Sequence, residues 1–285
     1  MRGGIVADAR GRLLRACGAA AVGGALLLTG CSGGAGGTGD GKNGSGGKTG
    51  GGASASATAS AASPTAKPAP TALDFTADPK RVPKNAAEAR RLALAIVAGP
   101  ESWGPDFVKR SPYLSAPGSW PVLDADCTWE AGTLPRSVLA SVTAHSEIPA
   151  AGGKGPLRVA ATVTVHRTES DADWEMAETL EEALRCPDQQ LQQGERITGL
   201  GSLGLPYGVG GNAHATDSLN ESGSYLNDAF KGRQGYSWYQ VRIGQVTMAT
   251  VVKGAPGRNE DLVTVLTQAQ VTMEERVKKQ MGVTS

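Results

Sequence analysis

Leu157-Arg158-Val159-Ala160-Ala161-Thr162-Val163-Thr164-Val165-His166 places Val159, Ala161, Val163 and Val165 on one side and Ala160, Thr162, Thr164 and His166 on the other. That period of two is the mark of a strand with one buried face. A second β run, Arg136 to Ile148, precedes it across Gly152-Gly153-Lys154-Gly155, so the two predict a hairpin. After His166, Ser170 reads as an N-cap with Asp171 and Asp173 in the first turn. The helix it opens carries Trp174, Ala177, Leu180 and Leu184 near one face and stops at Arg185-Cys186-Pro187.

The plan recurs downstream. A short strand near Arg196 to Leu200, a glycine-rich loop, strands Tyr236 to Ile243 and Gln245 to Lys253, and a long helix capped by Asn259 follow in order. In that helix Leu262, Val265 or Leu266, Ala269, Met273 and Val277 keep helical spacing. An offset of 87 lays Val159 to Val165 over Val246 to Val252. Either the hairpin-plus-helix unit is duplicated, or the recurrence is what any α+β chain offers. The fold class is therefore α+β, an antiparallel sheet packed with helices.

Upstream, Asn85 with Glu88 three residues on resembles a capping box, opening a helix that Gly99-Pro100 stops. Glu101 to Glu130 is broken by Pro105, Pro112, Pro117 and Pro121 and rich in rings, and reads as a largely irregular aromatic layer.

Composition bounds where a core can form. The chain has 285 residues and 40 glycines, many of them before residue 55, which leaves residues 73–285 as one domain of about 210 residues. Net charge is +1. Residues 1–30 hold Arg2, Arg10, Arg12 and Arg15 against Asp8, a net +3, so the remainder sits at +1 − 3 = −2. Without a basic excess there is no electrostatic footprint for nucleic acid.

Arg10, Arg12 and Arg15 precede an apolar run from Ala16 to Leu28 that meets Leu28-Thr29-Gly30-Cys31. The run is too short for a spanning helix and has the layout of an export signal. The tetrapeptide resembles the bacterial lipobox. This resemblance implies that residues 1–30 are a lipoprotein signal peptide, that Cys31 takes a diacylglyceryl group bearing palmitate-type chains, and that the chain is held on the extracytoplasmic side of the cell membrane. Ser32 to Ala72 is Gly, Ser, Ala and Thr with a few Lys and Pro, so residues 31–72 are expected to be the lipidated Cys and a disordered tether. Such a chain has a root-mean-square span of about 35 Å.

Cys17 leaves with the signal and Cys31 takes the lipid, so Cys127 and Cys186 are expected to be bonded to each other in an oxidising compartment. Free thiols or a metal site are the alternatives, although no CxxC and no nearby histidine pattern accompanies them. His145 and His166 lie in alternating strands, where histidine is usually an outward polar residue, and His214 lies in the glycine-rich half. No GxSxG, HExxH or SxxK occurs, and no catalytic residue, metal ligand or cofactor is assigned. Glu181-Glu182 and Asp171-Asp173 read as solvated or dipole-facing acids. Gly199 to Gly204 fits GxGxxG but does not open a helix, and reads as a turn-rich loop. The strand Tyr236-Ser237-Trp238-Tyr239 puts rings on both faces, so Trp238, Tyr239 and Tyr236 are the candidate ligand-binding side chains, one ring being core and the other free.

Taken in order, Trp129 beside Cys127, two strands, a helix ending in Leu184-Arg185-Cys186, the glycine-rich stretch, the 236–243 and 245–252 strands and a terminal helix resemble the extracellular sensor domain of actinobacterial receptor serine/threonine kinases (PknH-like), over about Glu101 to Met281. The resemblance implies an α+β sandwich-like sheet with a cleft and a small-ligand or sensing role. That family commonly carries two disulfides where this domain has one cysteine pair. The expected function is a non-catalytic, lipid-anchored ligand-binding or sensing module of the cell envelope, its partner an unknown small ligand or envelope protein. The alternatives are a structural or assembly partner of a membrane complex and, after it, an envelope hydrolase with an unrecognised site.

Overall fold

A computed structural model describes residues 71–258 and 261–283. The expected signal peptide (residues 1–30), Cys31, nearly all of the expected tether and Asn259 lie outside the described residues.

The chain builds helix α1 (Ala86–Ile96), a single 3-10 turn (Pro100–Ser102), strands β1 (Val108–Leu114), β2 (Ser119–Leu123), β3 (Trp129–Thr133), β4 (Val138–Ile148) and β5 (Leu157–His166), and helix α2 (Glu169–Arg185). Strands β6 (Gln189–Gln192), β7 (Glu195–Pro206), β8 (Asp217–Asn227), β9 (Gln234–Ile243) and β10 (Val246–Lys253) and helix α3 (Leu262–Met281) complete it. Eight strands form one antiparallel sheet in the order β1-β4-β5-β10-β9-β8-β7-β6, curled into a half-barrel, while β2 and β3 make a separate hairpin.

The 157–166 alternation sets the two faces of this sheet. Val159, Ala161, Val163 and Val165 join Val142, Ala144, Val246, Met248, Val241 and Ile243 in the main core, closed by Ala89, Ala93 and Ile96 of α1 and by Leu266, Ala269, Met273 and Val277 of α3. On the other face α2 packs beside a smaller cluster of Ala183, Ile197, Leu200, Tyr225 and Tyr236. The two segments related by the offset of 87 are neighbours, since β5 and β10 pair antiparallel from Val246↔Val165 to Val252↔Val159. Each follows a hairpin partner and precedes a helix, but α2 and α3 cover opposite faces of the sheet.

Several local readings change. The N-cap of α2 is Thr168, not Ser170: Thr168 Oγ1 accepts from Asp171 N at 3.0 Å and Asp171 Oδ2 accepts from Thr168 N at 3.1 Å, a complete capping box. Helix α3 is capped by Asp261, whose carboxylate accepts from Val263 N and Thr264 N. The apolar face expected of α2 points outward, with Trp174 67% and Leu184 72% exposed, while Ala172, Met176 and Ala183 face in. The sheet beneath α2 presents threonines rather than valines, so the side chains that fit there are small or polar.

The 101–130 segment is not irregular, because it contributes β1 to the sheet edge and the β2–β3 hairpin. Its prolines are compatible with this: Pro112 sits where the β1–β4 register slips, and an edge or bulge position needs no N–H. Nor is 199–204 a loop. It lies within β7, where the register slips between Thr198 and Gly201; Gly199 takes φ +63° there and donates its N–H to Asp188 Oδ1 at 2.8 Å.

Candidate functional site

The polar face of the sheet, α2 and the β2–β3 hairpin enclose a cavity of about 400 Å³, within the size range of small-molecule sites. Its floor is the second half of each alternation: Ser141, Thr143 and His145 of β4, Ala160, Thr162 and Thr164 of β5, Thr247 and Ala249 of β10, and Tyr236, Trp238 and Gln240 of β9. Cross-strand register brings the hydroxyls into contact, with Ser141 Oγ 3.0 Å from Thr164 Oγ1 and Thr143 Oγ1 2.9 Å from Thr162 Oγ1. Glu175, Glu178, Thr179 and Glu182 of α2 form one wall. Trp120, Pro121 and Trp129 form the opposite one.

The walls are pinned. Cys127, in the connection from β2 to β3, is disulfide-bonded to Cys186 at the end of α2. Arg185 Nη1 donates to Asp124 O at 3.0 Å, and Trp129 Nε1 donates to Gln189 Oε1 at 2.8 Å. The hairpin is thereby held over the cavity by a disulfide, a guanidinium-to-carbonyl hydrogen bond and an indole hydrogen bond to the α2–β6 segment.

Glu175 is fully engaged. Its Oε2 accepts from Thr247 Oγ1 at 2.6 Å and contacts His166 Nε2 at 2.5 Å, and its Oε1 accepts from Gln240 Nε2 at 3.2 Å. His166 is therefore buried under α2 rather than outward in solvent. At the other end Lys253 Nζ donates to Glu195 Oε2 at 2.8 Å. Burial alone would raise the Glu195 carboxyl, but the Lys253 ammonium outweighs it and holds Glu195 below the usual range. Burial and the nearby Arg110 guanidinium push His145 down to about 4, so that ring is neutral at pH 7.

Two carboxylates differ from these. Burial, reinforced by Glu178, pushes Glu182 up to about 7. Burial likewise pushes Glu221 up to about 7, with the Ser202 hydroxyl opposing and Glu182 adding repulsion. Two further buried groups at the floor lack partners among the described residues, the Trp238 indole N–H and the Gln240 carbonyl oxygen.

Of the three rings singled out in the sequence, Trp238 and Tyr236 line this cavity, Tyr236 being buried in the smaller cluster. Tyr239 lies on the opposite face against the main core, so it is not part of the cavity. Glu182, read as solvated, and Gln240 and Glu221, not singled out, complete the site. The signal for them was present in the polar half of adjacent alternations, Ser141/Thr143, Thr162/Thr164 and Thr247, which together make one polar sheet face rather than scattered solvent positions.

Among the described residues, no group of His, Cys, Asp and Glu is arranged to hold a metal ion, and no helix is long and apolar enough to cross a membrane. No family model matches the chain, and no curated protein matches it. Among solved structures, an uncharacterized protein of Mycobacterium smegmatis, described as an Rv0999 ortholog, aligns with 70% of this chain and 97% of its own at 10% identity and a TM-score of 0.31, a slight likeness.

Proposed function

We propose that the protein is a non-catalytic ligand-binding or sensing module of the cell envelope, anchored through lipid on Cys31, with its ligand in the cavity between α2, the β2–β3 hairpin and the polar sheet face. The observation that carries this reading is a buried donor and a buried acceptor, Trp238 Nε1–H and Gln240 Oε1, both without a partner among the described residues and both at one cavity. Buried polar groups are nearly always satisfied, and those left open in a concave site are most simply satisfied by a guest or by water. Glu175 is engaged by structural contacts with His166, Thr247 and Gln240. The PknH-like resemblance, with its cleft and sensing role, points the same way.

The test is two-dimensional NMR of the full chain with mixtures of small polar molecules, following the indole N–H resonances. Perturbation of the Trp238 signal, lost when Thr162→Trp fills the floor, is the expected result. If no mixture moves it, or if the shifts persist with the cavity filled, the ligand site is elsewhere.

A further inference from the structure

Buried carboxylates in this fold are otherwise given partners. Glu195 holds Lys253 at 2.8 Å and Arg158 at 3.2 Å, Glu274 holds His214 at 2.8 Å, and Glu175 holds Thr247, Gln240 and His166. Glu182 and Glu221 face the cavity without an ion pair among the described residues, although Glu221 is only 8% exposed. The cation nearest in sequence to Glu182, Arg185, is turned to Glu181 at 3.0 Å.

Glu221 stands directly opposite Trp238 in the β8–β9 register, so carboxylate and indole share one face. The remaining open acceptor, Gln240 Oε1, belongs to a residue 1% exposed at the same cavity. The cationic groups at the cavity do not offset these acids, because Lys253 is committed to Glu195 and the His145 ring is neutral. Acceptors of negative or neutral character beside an aromatic face are the recognition chemistry of organic cations.

We propose that the ligand of this cavity carries a positively charged amine, quaternary ammonium or guanidinium group, seated between Glu182 and Glu221 against the Trp238 ring. The assignment rests on the cavity being the binding site. It deepens that reading by naming the charge of the guest. Above about pH 7, where Glu182 and Glu221 ionise, an anionic guest would meet their charges and be repelled. Trp238 Nε1–H supplies one donor, which suits a hydroxyl beside the cation.

Choline, agmatine and 3,3-dimethyl-1-butanol, the uncharged shape analogue of choline, are titrated into the full chain while the Trp238 indole resonance and the melting temperature are followed. Choline or agmatine is expected to move the Trp238 resonance saturably and the neutral analogue to bind at least tenfold more weakly. Glu221→Gln and Glu182→Gln are each expected to weaken the cation about tenfold, and Asp228→Asn, an exposed acid elsewhere, to leave it unchanged. Equal binding of the neutral analogue, or a cation response unchanged in both glutamine variants, overturns the charge assignment and leaves the cavity a binding site. If neither cation nor neutral polar molecules move Trp238, the charge assignment and the cavity reading fail together.

Discussion

His214 Nδ1 lies 2.8 Å from Glu274 Oε2, joining the β7–β8 connection to the buried side of α3 across 60 residues of sequence. With Nδ1–H donating to the carboxylate, Nε2 is free to accept from the Tyr239 hydroxyl at 3.2 Å. Glu274 is almost fully buried, and burial pushes its carboxyl up, so the imidazole is the group that makes its position tolerable. Glu274 Oε1 has no hydrogen-bond partner among the described residues, so His214→Ala leaves both carboxyl oxygens without one. The substitution is expected to cost about 2 kcal/mol by urea unfolding, while Tyr239→Phe, which removes one neutral bond, costs about 1 kcal/mol. Equal stability of wild type and His214→Ala would show that the contact is ornamental.

Trp238 and Tyr239 are chain neighbours on opposite faces, and their truncations should differ in kind. Tyr239→Ala removes a ring packed on the main core and is expected to lower stability by about 3 kcal/mol through the cavity it leaves. Trp238→Ala opens a face already lined by a cavity, so its cost should be about half that, and its effect should fall on binding. Calorimetry of both variants, with the choline titration, separates the two. If both unfold the domain equally, both rings are core.

What the sequence made legible was the part with one dominant physical cause. Val159 to Val165 and Val246 to Val252 read as strands because alternating valines bury one face, and Asn85 reads as a cap because its side chain answers an open N–H. Strand β8 was invisible for the opposite reason. Asp217 to Asn227 is rich in Ser and Asn with low strand propensity, and it is extended because β7 and β9 pair with it on both sides. The wrong face of α2 has a related cause: Trp174 and Leu184 form the apolar stripe, yet the helix covers a polar cavity, so Glu175, Thr179 and Glu182 turn inward. A hydrophobic pattern finds cores. It does not find a polar cleft, whose walls resemble solvent-facing residues until the strands are laid side by side.

Cys31→Ser is expected to release the chain from membranes on the proposed reading, in which Arg10, Arg12 and Arg15, the short apolar run and Leu28-Thr29-Gly30-Cys31 resemble a lipoprotein signal that implies acylation at this position. Fractionation of wild type and variant, with mass spectrometry to exclude uncleaved precursor, checks it. Equal membrane association of both processed forms refutes the anchor.

The Cys127–Cys186 bond closes a separation of 59 residues, and on the chain-entropy account its removal costs about 4 kcal/mol. The paired variant Cys127→Ser, Cys186→Ser is expected to unfold at lower urea by that order. Its amide exchange should rise first in the β2–β3 hairpin, which then keeps, among the described residues, the Arg185 bonds, the Trp129–Gln189 bond and the short backbone pairing to β6. Protection across the β5–β10 pair should persist, because those strands are held by the main core. Uniform loss of protection throughout the sheet would place the bond in the folding core instead of at the rim of the cavity.

Glu182 and Glu221 tie stability to pH in a direction opposite to ordinary acids. Both keep their protons in the folded state up to about pH 7, whereas the unfolded chain releases them near 4.5. Between those values the folded form binds more protons, so the contribution of these two groups falls as pH rises from about 4.5 through 7. His145 acts the other way, since its folded value of about 4 lies below the unfolded 6.5, and it adds stability over much of the same window. The wild-type profile therefore mixes opposing slopes, and the informative quantity is the difference between Glu221→Gln and wild type. The groups facing Glu221 are Glu182, the Tyr236 phenol and the Ser202 hydroxyl, and those around Glu182 are Glu175, Glu178, Glu181 and Arg185, so no cation is lost with the substitution. At about pH 4, below the unfolded value of 4.5, both forms are largely neutral at this position, folded and unfolded, and should melt close together. At pH 8 wild type holds an unpaired buried charge and the variant does not, so Glu221→Gln is expected to be more stable by about 1 to 2 kcal/mol after solvent screening. Melting curves at the two pH values measure this. A variant less stable than wild type at pH 8 would show that the Glu221 charge already has a partner within the fold, and saturating choline should raise the wild-type melting temperature more than that of the variant.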